Sequence, residues 1–385
     1  MARICVRDGR FVERESGRQF HPRGFSYIRL RPRWHGTFAP ERYDAARAEA
    51  MLADVAAHGF NVVRVFIDHT PGEGVVASAD AEELSPAFMA HVADFIGRAR
   101  RHGVRVVPSL IHLPRCARTQ ALLGPGPERI EGVNRMLLHQ GHIAAKATYV
   151  ADFVAALEAR DPALLPAVFA YELCNEAHFS AAAPPFSLDS GTVVPADGER
   201  YDLASEADLQ RMADANAVRW AAQCARAIRE VDPAAMVSAN VFTFAAVGRG
   251  GPGRLRRDES SDPRFPVRPL ALARSSLDYL DVHFYPFDER TLERDLRSIE
   301  FPQLRAACRA AGKPLVMGEF GAFKKAYPRL EGAAQAMARH ARRVLDLGFA
   351  GYIYWTYDTD EQAFLWNAKS GEGDPILRAL AAVSP

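Results

Sequence analysis

Asn175-Glu176 ends the apolar run Val168-Phe169-Ala170-Tyr171-Glu172-Leu173-Cys174, and Glu319 ends another, Pro314-Leu315-Val316-Met317-Gly318. A glutamate that directly follows a buried strand is poorly explained as a solvated surface charge. Two such acids at one rim can cleave a glycosidic bond, one protonating the leaving oxygen while the other attacks the anomeric carbon. Retention of configuration places the carboxyl groups about 5–5.5 Å apart. Their surroundings must then differ, so that one holds a proton and the other is ionised. Glu172, inside the first run, reads instead as a core-lining or salt-bridged residue.

Other chemistry-bearing residues also fall on strand-like runs. Arg64 lies within Asn61-Val62-Val63-Arg64-Val65-Phe66, and a buried guanidinium requires a carboxylate partner. It is read as a structural salt bridge, as the group that keeps a nucleophilic Glu ionised, or as both. His112 and His283 end two further runs. They match neither HxH nor HExxH spacing and have no Asp placed to complete a hydrolytic metal set, so hydrogen bonding to sugar or to the acids fits better than metal. In His283-Phe284-Tyr285 the His and the Tyr point to one side of a strand, and the Tyr hydroxyl could steady a carboxylate. Trp355 ends Tyr352-Ile353-Tyr354-Trp355 and offers an aromatic face for stacking on a sugar. Trp34 and Trp366 follow the first and last strands and are candidates for lining a subsite. Trp220, in mid-helix, reads as packing.

The elements that must position these residues alternate along the chain. Strand-like runs are expected at 25–30, 61–67, 104–111, 168–173, 236–241, 279–284, 314–317 and 350–355. Helical stretches are expected near 40–58, 86–102, 140–160, 206–231, 271–276, 291–311, 331–347 and 376–383. Eight strands, each followed by helix, predict an α/β fold, a (β/α)8 TIM barrel spanning 1–385 as one catalytic domain. An open doubly wound sheet would bring a Gly-rich phosphate turn after its first strand, and Ile28-Arg29-Leu30-Arg31-Pro32 provides none. Residues 1–20 contain two short β runs around Arg7-Asp8-Gly9, an N-terminal hairpin expected to cap the barrel bottom. Long loops at 113–139, 177–205 and 242–270 all fall on the carboxyl-end side, where such barrels carry their sites.

Bulk properties restrict the class further. A net charge of +1 over 385 residues gives no reason to expect a nucleic-acid partner. No apolar run is long enough for a membrane span. The N-terminal MARICVRDGRFVERESG has no signal-type h-region, which gives the expectation of a cytoplasmic protein. The five cysteines, at 5, 116, 174, 224 and 308, are odd in number and widely spaced, unlike a disulfide framework or a zinc knuckle.

In these residues the chain resembles glycoside hydrolase family 5, within the clan of retaining barrel glycosidases. That pattern is an Arg on strand 2, a His on strand 3, Asn-Glu ending strand 4, His-x-Tyr on strand 6, Glu ending strand 7 and Trp ending strand 8. Arg64, His112, Asn175-Glu176, His283-Phe284-Tyr285, Glu319 and Trp355 match it in order across the whole barrel. The resemblance implies Glu176 as acid/base and Glu319 as nucleophile. It implies Asn175 on the sugar 2-hydroxyl, Arg64 and Tyr285 supporting Glu319, His112 and His283 around the reacting sugar, Trp355 as platform, and no metal or organic cofactor. Strand 3 departs from it, with Ile111 where cellulase-type members often carry Asp. With the long loops, this points away from an ordinary endocellulase. The reading is a retaining β-glycosidase acting on β-linked oligosaccharides, β-mannosides or β-glucosides, with a preference for chain ends or short oligosaccharides. The alternatives are an endo-β-1,4-glucanase or mannanase, a metal-dependent hydrolase built on His112 and His283, and a non-catalytic sugar-binding barrel.

Overall fold

The computed structural model describes residues 1–29, 36–126, 128–253, 260–298, 300–358, 362–369 and 374–384. Its centre is a ring of parallel strands: β1 (Arg23–Tyr27), β2 (Val62–Phe66), β3 (Arg105–Ser109), β4 (Tyr171–Glu172), β5 (Val237–Ser238 and Asn240–Phe242), β6 (Leu280–His283), β7 (Leu315–Phe320) and β8 (Gly351–Tyr357). Each pairs with the next, and β8 pairs back to β1. Closure runs through β5, whose first half pairs with β4 and second half with β6, the register breaking at Ala239. This is the (β/α)8 barrel expected from the alternation. The first run was read as far as Leu30, which lies outside the described residues.

Period-two patterning decides which side chains enter the barrel. On β2, Val63 and Val65 join the cluster packed against the helices, while Val62, Arg64 and Phe66 alternate inward. The interior is layered as a result. Val62, Val107, Phe169, Met236, Tyr279, Val316 and Ile353 form an apolar floor, closed from below by Ile4 and Phe11 of the hairpin Ile4–Arg7 with Arg10–Glu13. Phe66, Ile111 and Trp355 form part of an apolar rim above. Between them lies a polar layer containing Arg64, Glu172 and Asp281, all fully buried.

The helices Pro86–Arg101, Gln140–Arg160 and Glu206–Val231 begin or end within a residue of their expected bounds. Ser85 and Ser205 cap two of them by accepting first-turn N–H groups. The stretch read as one helix over 291–311 is two, Glu289–Leu296 and Phe301–Ala310. Pro302 has no N–H to continue a helix from the preceding turn, but it suits the start of a new one. No described helix is long and apolar enough to cross a membrane.

Two local features re-aim residues at the barrel mouth. β7 continues past its expected end at Met317 to Phe320 and carries one extra residue. Asp281 and His283 of β6 sit opposite Val316 and Glu319, and Met317 and Phe320 oppose Tyr352 and Tyr354 of β8. A bulge of this kind turns a side chain out of register, and here it delivers Glu319 beside His283. The second feature ties two long loops together. His178–Ser180, after β4, pairs antiparallel with Arg264–Pro266, after β5.

Candidate active site

Arg64 is the organising charge. Its Nε and Nη2 each lie 2.8 Å from an oxygen of Glu172, its Nη1 donates to Oε2 of Glu319 at 2.7 Å, and Nη2 also reaches Oδ1 of Asn175 at 2.6 Å. Glu172 receives a further hydrogen bond from Ser109. Arg64 is thus a barrel salt bridge to Glu172 and at the same time an ion-pair partner of Glu319, and Glu172 is salt-bridged, one of the two readings of it.

Glu319 accepts from Arg64 through one oxygen and from the Tyr285 hydroxyl, at 2.5 Å, through the other. Burial and the adjacent Glu319 charge hold the Tyr285 hydroxyl well above its usual range, so it stays a donor. Glu176 is held differently. Its backbone sits in the left-handed region at φ +49°, a conformation non-glycine residues adopt only when surroundings enforce it. Asn240 of β5 enforces it, with Oδ1 accepting from the Glu176 N–H at 2.5 Å and its carbonyl accepting from Ala177 N–H at 3.0 Å. The Glu176 carboxylate contacts Nδ1 of His283 and Nη1 of Arg264, each at 3.2 Å. Burial pushes its carboxyl up, but His283, Arg264 and Arg64 outweigh that and leave it below the usual range.

One oxygen each of Glu176 and Glu319 and a ring nitrogen of His283 lie within 4.8 Å of one another. The two carboxylates thus face each other with an oxygen of each within 4.8 Å, too close for the wider spacing of an inverting pair. The same trio has the geometry to approach a cation. Both oxygens of Glu319 are already engaged by donors, however, and Arg64 contributes a fixed positive charge beside them, a donor set suited to an anionic nucleophile rather than a dication.

Trp355, 7% exposed, packs edge-on against Phe66 with ring centroids 5.6 Å apart and donates its indole N–H to Gln362 at 2.6 Å. It sits at the apolar rim with Ile111 and Tyr285, and the Trp355-Thr356 peptide is cis. His112 is exposed just beyond β3, its ring 4.5 Å from that of His69, in a cavity of about 340 Å³ that Lys146 also lines. Trp366 is held in the pairing of Ala322–Phe323 with Leu365–Trp366, its indole N–H on the Tyr327 carbonyl and its ring under Lys324. Trp34 lies outside the described residues. Arg64, Asn175, Glu176, His283, Tyr285 and Glu319 form one connected cluster.

Sequence reading missed three members of this neighbourhood. Asp281 was legible in principle, since Asp281-Val282-His283 puts both polar residues on one face. Asn240 sits in a run read only as the fifth strand. Arg264 belongs to a loop whose return to Glu176 depends on a pairing that no local pattern announces.

A closed (β/α)8 barrel with a buried arginine and two facing glutamates at its carboxyl-end mouth defines the class of barrel glycosidases. The family model for Cellulase (glycosyl hydrolase family 5) matches residues 14–361, and this chain belongs to that family. No curated protein matches the sequence. Among solved structures, the chain is similar to a family 5 mannosidase from Rhizomucor miehei, with 14% identity, a TM-score of 0.59 and coverage of 99% of this chain and 96% of the other. It is similar to the exo-β-1,4-mannosidase Op5Man5 from Opitutaceae bacterium strain TAV5, with 17% identity and a TM-score of 0.60, covering 98% of this chain and 61% of that one. It is also similar to a GH5_18 protein from Streptomyces cattleya in complex with Manβ1-4GlcNAc, with 18% identity and a TM-score of 0.58, covering 94% of this chain and 79% of the other. At these identities the likeness is one of fold.

Proposed function

We propose that the chain hydrolyses β-linked mannosides of short oligosaccharides with retention, Glu319 acting as nucleophile and Glu176 as acid/base. The observation that carries this reading is the asymmetry of the facing pair. Glu319 has a donor on each oxygen, Arg64 and Tyr285, while Glu176 sits against a titratable imidazole. Glu319 attacks the anomeric carbon as the leaving oxygen takes a proton from Glu176. Water then attacks the glycosyl-enzyme, and Glu176 accepts its proton.

The low proton affinity of Glu176 in the free site suits the base half of the cycle. For the acid half, a bound sugar excludes water and strengthens the burial that already pushes this carboxyl up. Once Glu319 becomes an ester, its negative charge is lost and Glu176 releases protons more readily. The mannoside assignment is supported by the mannosidases among the similar structures. Restriction to short chains is supported by the loops after β3, β4 and β5, which have elements of their own and can wall the mouth.

The test is hydrolysis of aryl β-mannosides and β-glucosides and of defined oligosaccharides, with product sizing. Glu319→Ala and Glu176→Ala are each expected to lose several orders of magnitude in turnover. Azide should restore turnover in Glu176→Ala with retained configuration and in Glu319→Ala with inverted configuration. Substantial activity in both variants without azide would overturn the assignment.

A further inference from the structure

Asp281 and His283 alternate on β6, so both enter the barrel, Asp281 one layer below. Asp281 is fully buried and neither of its carboxylate oxygens has a hydrogen-bond partner among the described residues; the same holds for Nε2 of His283. These unsatisfied groups face each other, Oδ1 to Nε2, across 3.7 Å. On its other side the imidazole presents Nδ1 to Glu176 at 3.2 Å and to Glu319 at 3.7 Å. The ring therefore bridges a hidden carboxyl and the facing pair.

A buried carboxylate that accepts no hydrogen bond destabilises the fold, and Asp281 returns no structural bond for that cost. The fold nevertheless reserves room for it. A β carbon at Gly318, on β7, would lie 1.7 Å from Oδ1 of Asp281. The charges acting on Asp281 are His283 on its own strand, Glu172 on β4, Arg64 on β2 and Glu319 on β7, with the Tyr279 hydroxyl also nearby. Those acting on Glu176 are His283, Arg264 and Arg64, with Tyr285 and Cys174 also close. Burial raises the Asp281 carboxyl, while His283 and Arg64 pull it back toward the ionised form. Burial pulls His283 down, but Glu319, Glu176 and Asp281 together push it up.

We propose that Asp281 is a positioning residue that acts through His283, orienting Nε2–H toward itself and keeping the ring cationic so that Nδ1–H stabilises the Glu176 carboxylate. This rests on the reading of Glu176 as acid/base. Without the Asp281 charge the ring gives up its proton at lower pH. Above that lowered midpoint Glu176 faces a neutral ring instead of a cation, and in the sugar-bound site, where burial raises its carboxyl, it then binds its own proton more tightly.

The test pairs two readouts on Asp281→Asn, with Asp281→Ser as a second variant should the first fold poorly. Histidine-selective ¹⁵N NMR of the free protein should show the His283 midpoint falling by about one pH unit. The basic limb of kcat on 4-nitrophenyl β-mannoside, which reports the sugar-bound site, should move to higher pH, with no further movement when Asp281→Asn is added to His283→Gln. The NMR arm needs no substrate, so it separates this inference from the hydrolytic reading. An unmoved His283 midpoint overturns the proposal. So does a lowered midpoint with an unmoved or downward-shifted limb.

Discussion

At the scale of residues, the site is governed by which charges are shared and which are left alone. Arg64 serves two carboxylates at once, so its loss strands both Glu172 and Glu319 in the barrel. Removing one partner of a buried ion pair typically costs about 3–5 kcal/mol. Arg64→Met should therefore lower the unfolding free energy by at least that much in denaturant titrations and abolish turnover. Arg264 acts on Glu176 from outside the barrel, pinned by Asp262 at 2.9 Å and lying 4.8 Å over the Phe242 ring. It is one of the groups that hold the Glu176 carboxyl down. Arg264→Gln should raise that proton affinity. With Glu176 as the proposed acid of the first step, the basic limb of kcat/KM should move to higher pH while stability changes little. A limb that moves down or not at all would remove Arg264 from the machinery.

At the scale of elements, the bulge in β7 is what brings Glu319 to its partners, and Gly318 within it abuts Asp281. Gly318→Ala forces a β carbon into the Asp281 carboxyl, whose fully buried position leaves it little room to yield. Overpacking of this kind costs about 1–3 kcal/mol. A lowered melting temperature is expected, together with lower kcat, since Glu319 is the next residue. Combining it with Asp281→Ala, which vacates the space, should recover much of the melting temperature. The hairpin works at the opposite end, where Phe11 contacts Phe169 and Tyr279 edge-on at 5.0 and 5.2 Å. Phe11→Ala should destabilise by about 3–5 kcal/mol and leave KM unchanged, because the floor does not reach the acids.

At the scale of the whole molecule, acid stability is set partly by a histidine remote from the site. His340 is 1% exposed on the helix Leu330–Asp346, and neither ring nitrogen has a hydrogen-bond partner among the described residues. Burial lowers it to about 4. A depressed histidine is neutral in the fold while the unfolded chain takes up a proton. Its contribution is complete above about pH 6.5 and is lost as pH falls from there toward 4. At about 1.4 kcal/mol per unit the loss is on the order of 3 kcal/mol. His340→Gln should flatten the fall of unfolding free energy across this window, and an equally steep fall would show that other groups drive it.

The order of strands, the barrel class and the two acids were legible because each rests on local signals. Runs of buried residues, helix caps and period-two alternation are written in neighbouring positions, and an acid at a strand end is visible without knowing what it faces. Single-helix continuity over 291–311 misled because apolar periodicity persists through Pro302. The bulge in β7, the clamp of Asn240 on Glu176 and the arrival of Arg264 are absent from local pattern, since each joins residues tens of positions apart. Local pattern alone is enough to place two glutamates at one barrel mouth. How each is held emerges from contacts across the barrel: Arg64 and Tyr285 on Glu319, His283 and Arg264 on Glu176, and Asp281 beneath. The proton affinity of a buried acid depends on charges a few ångströms away in space, whatever their separation along the chain.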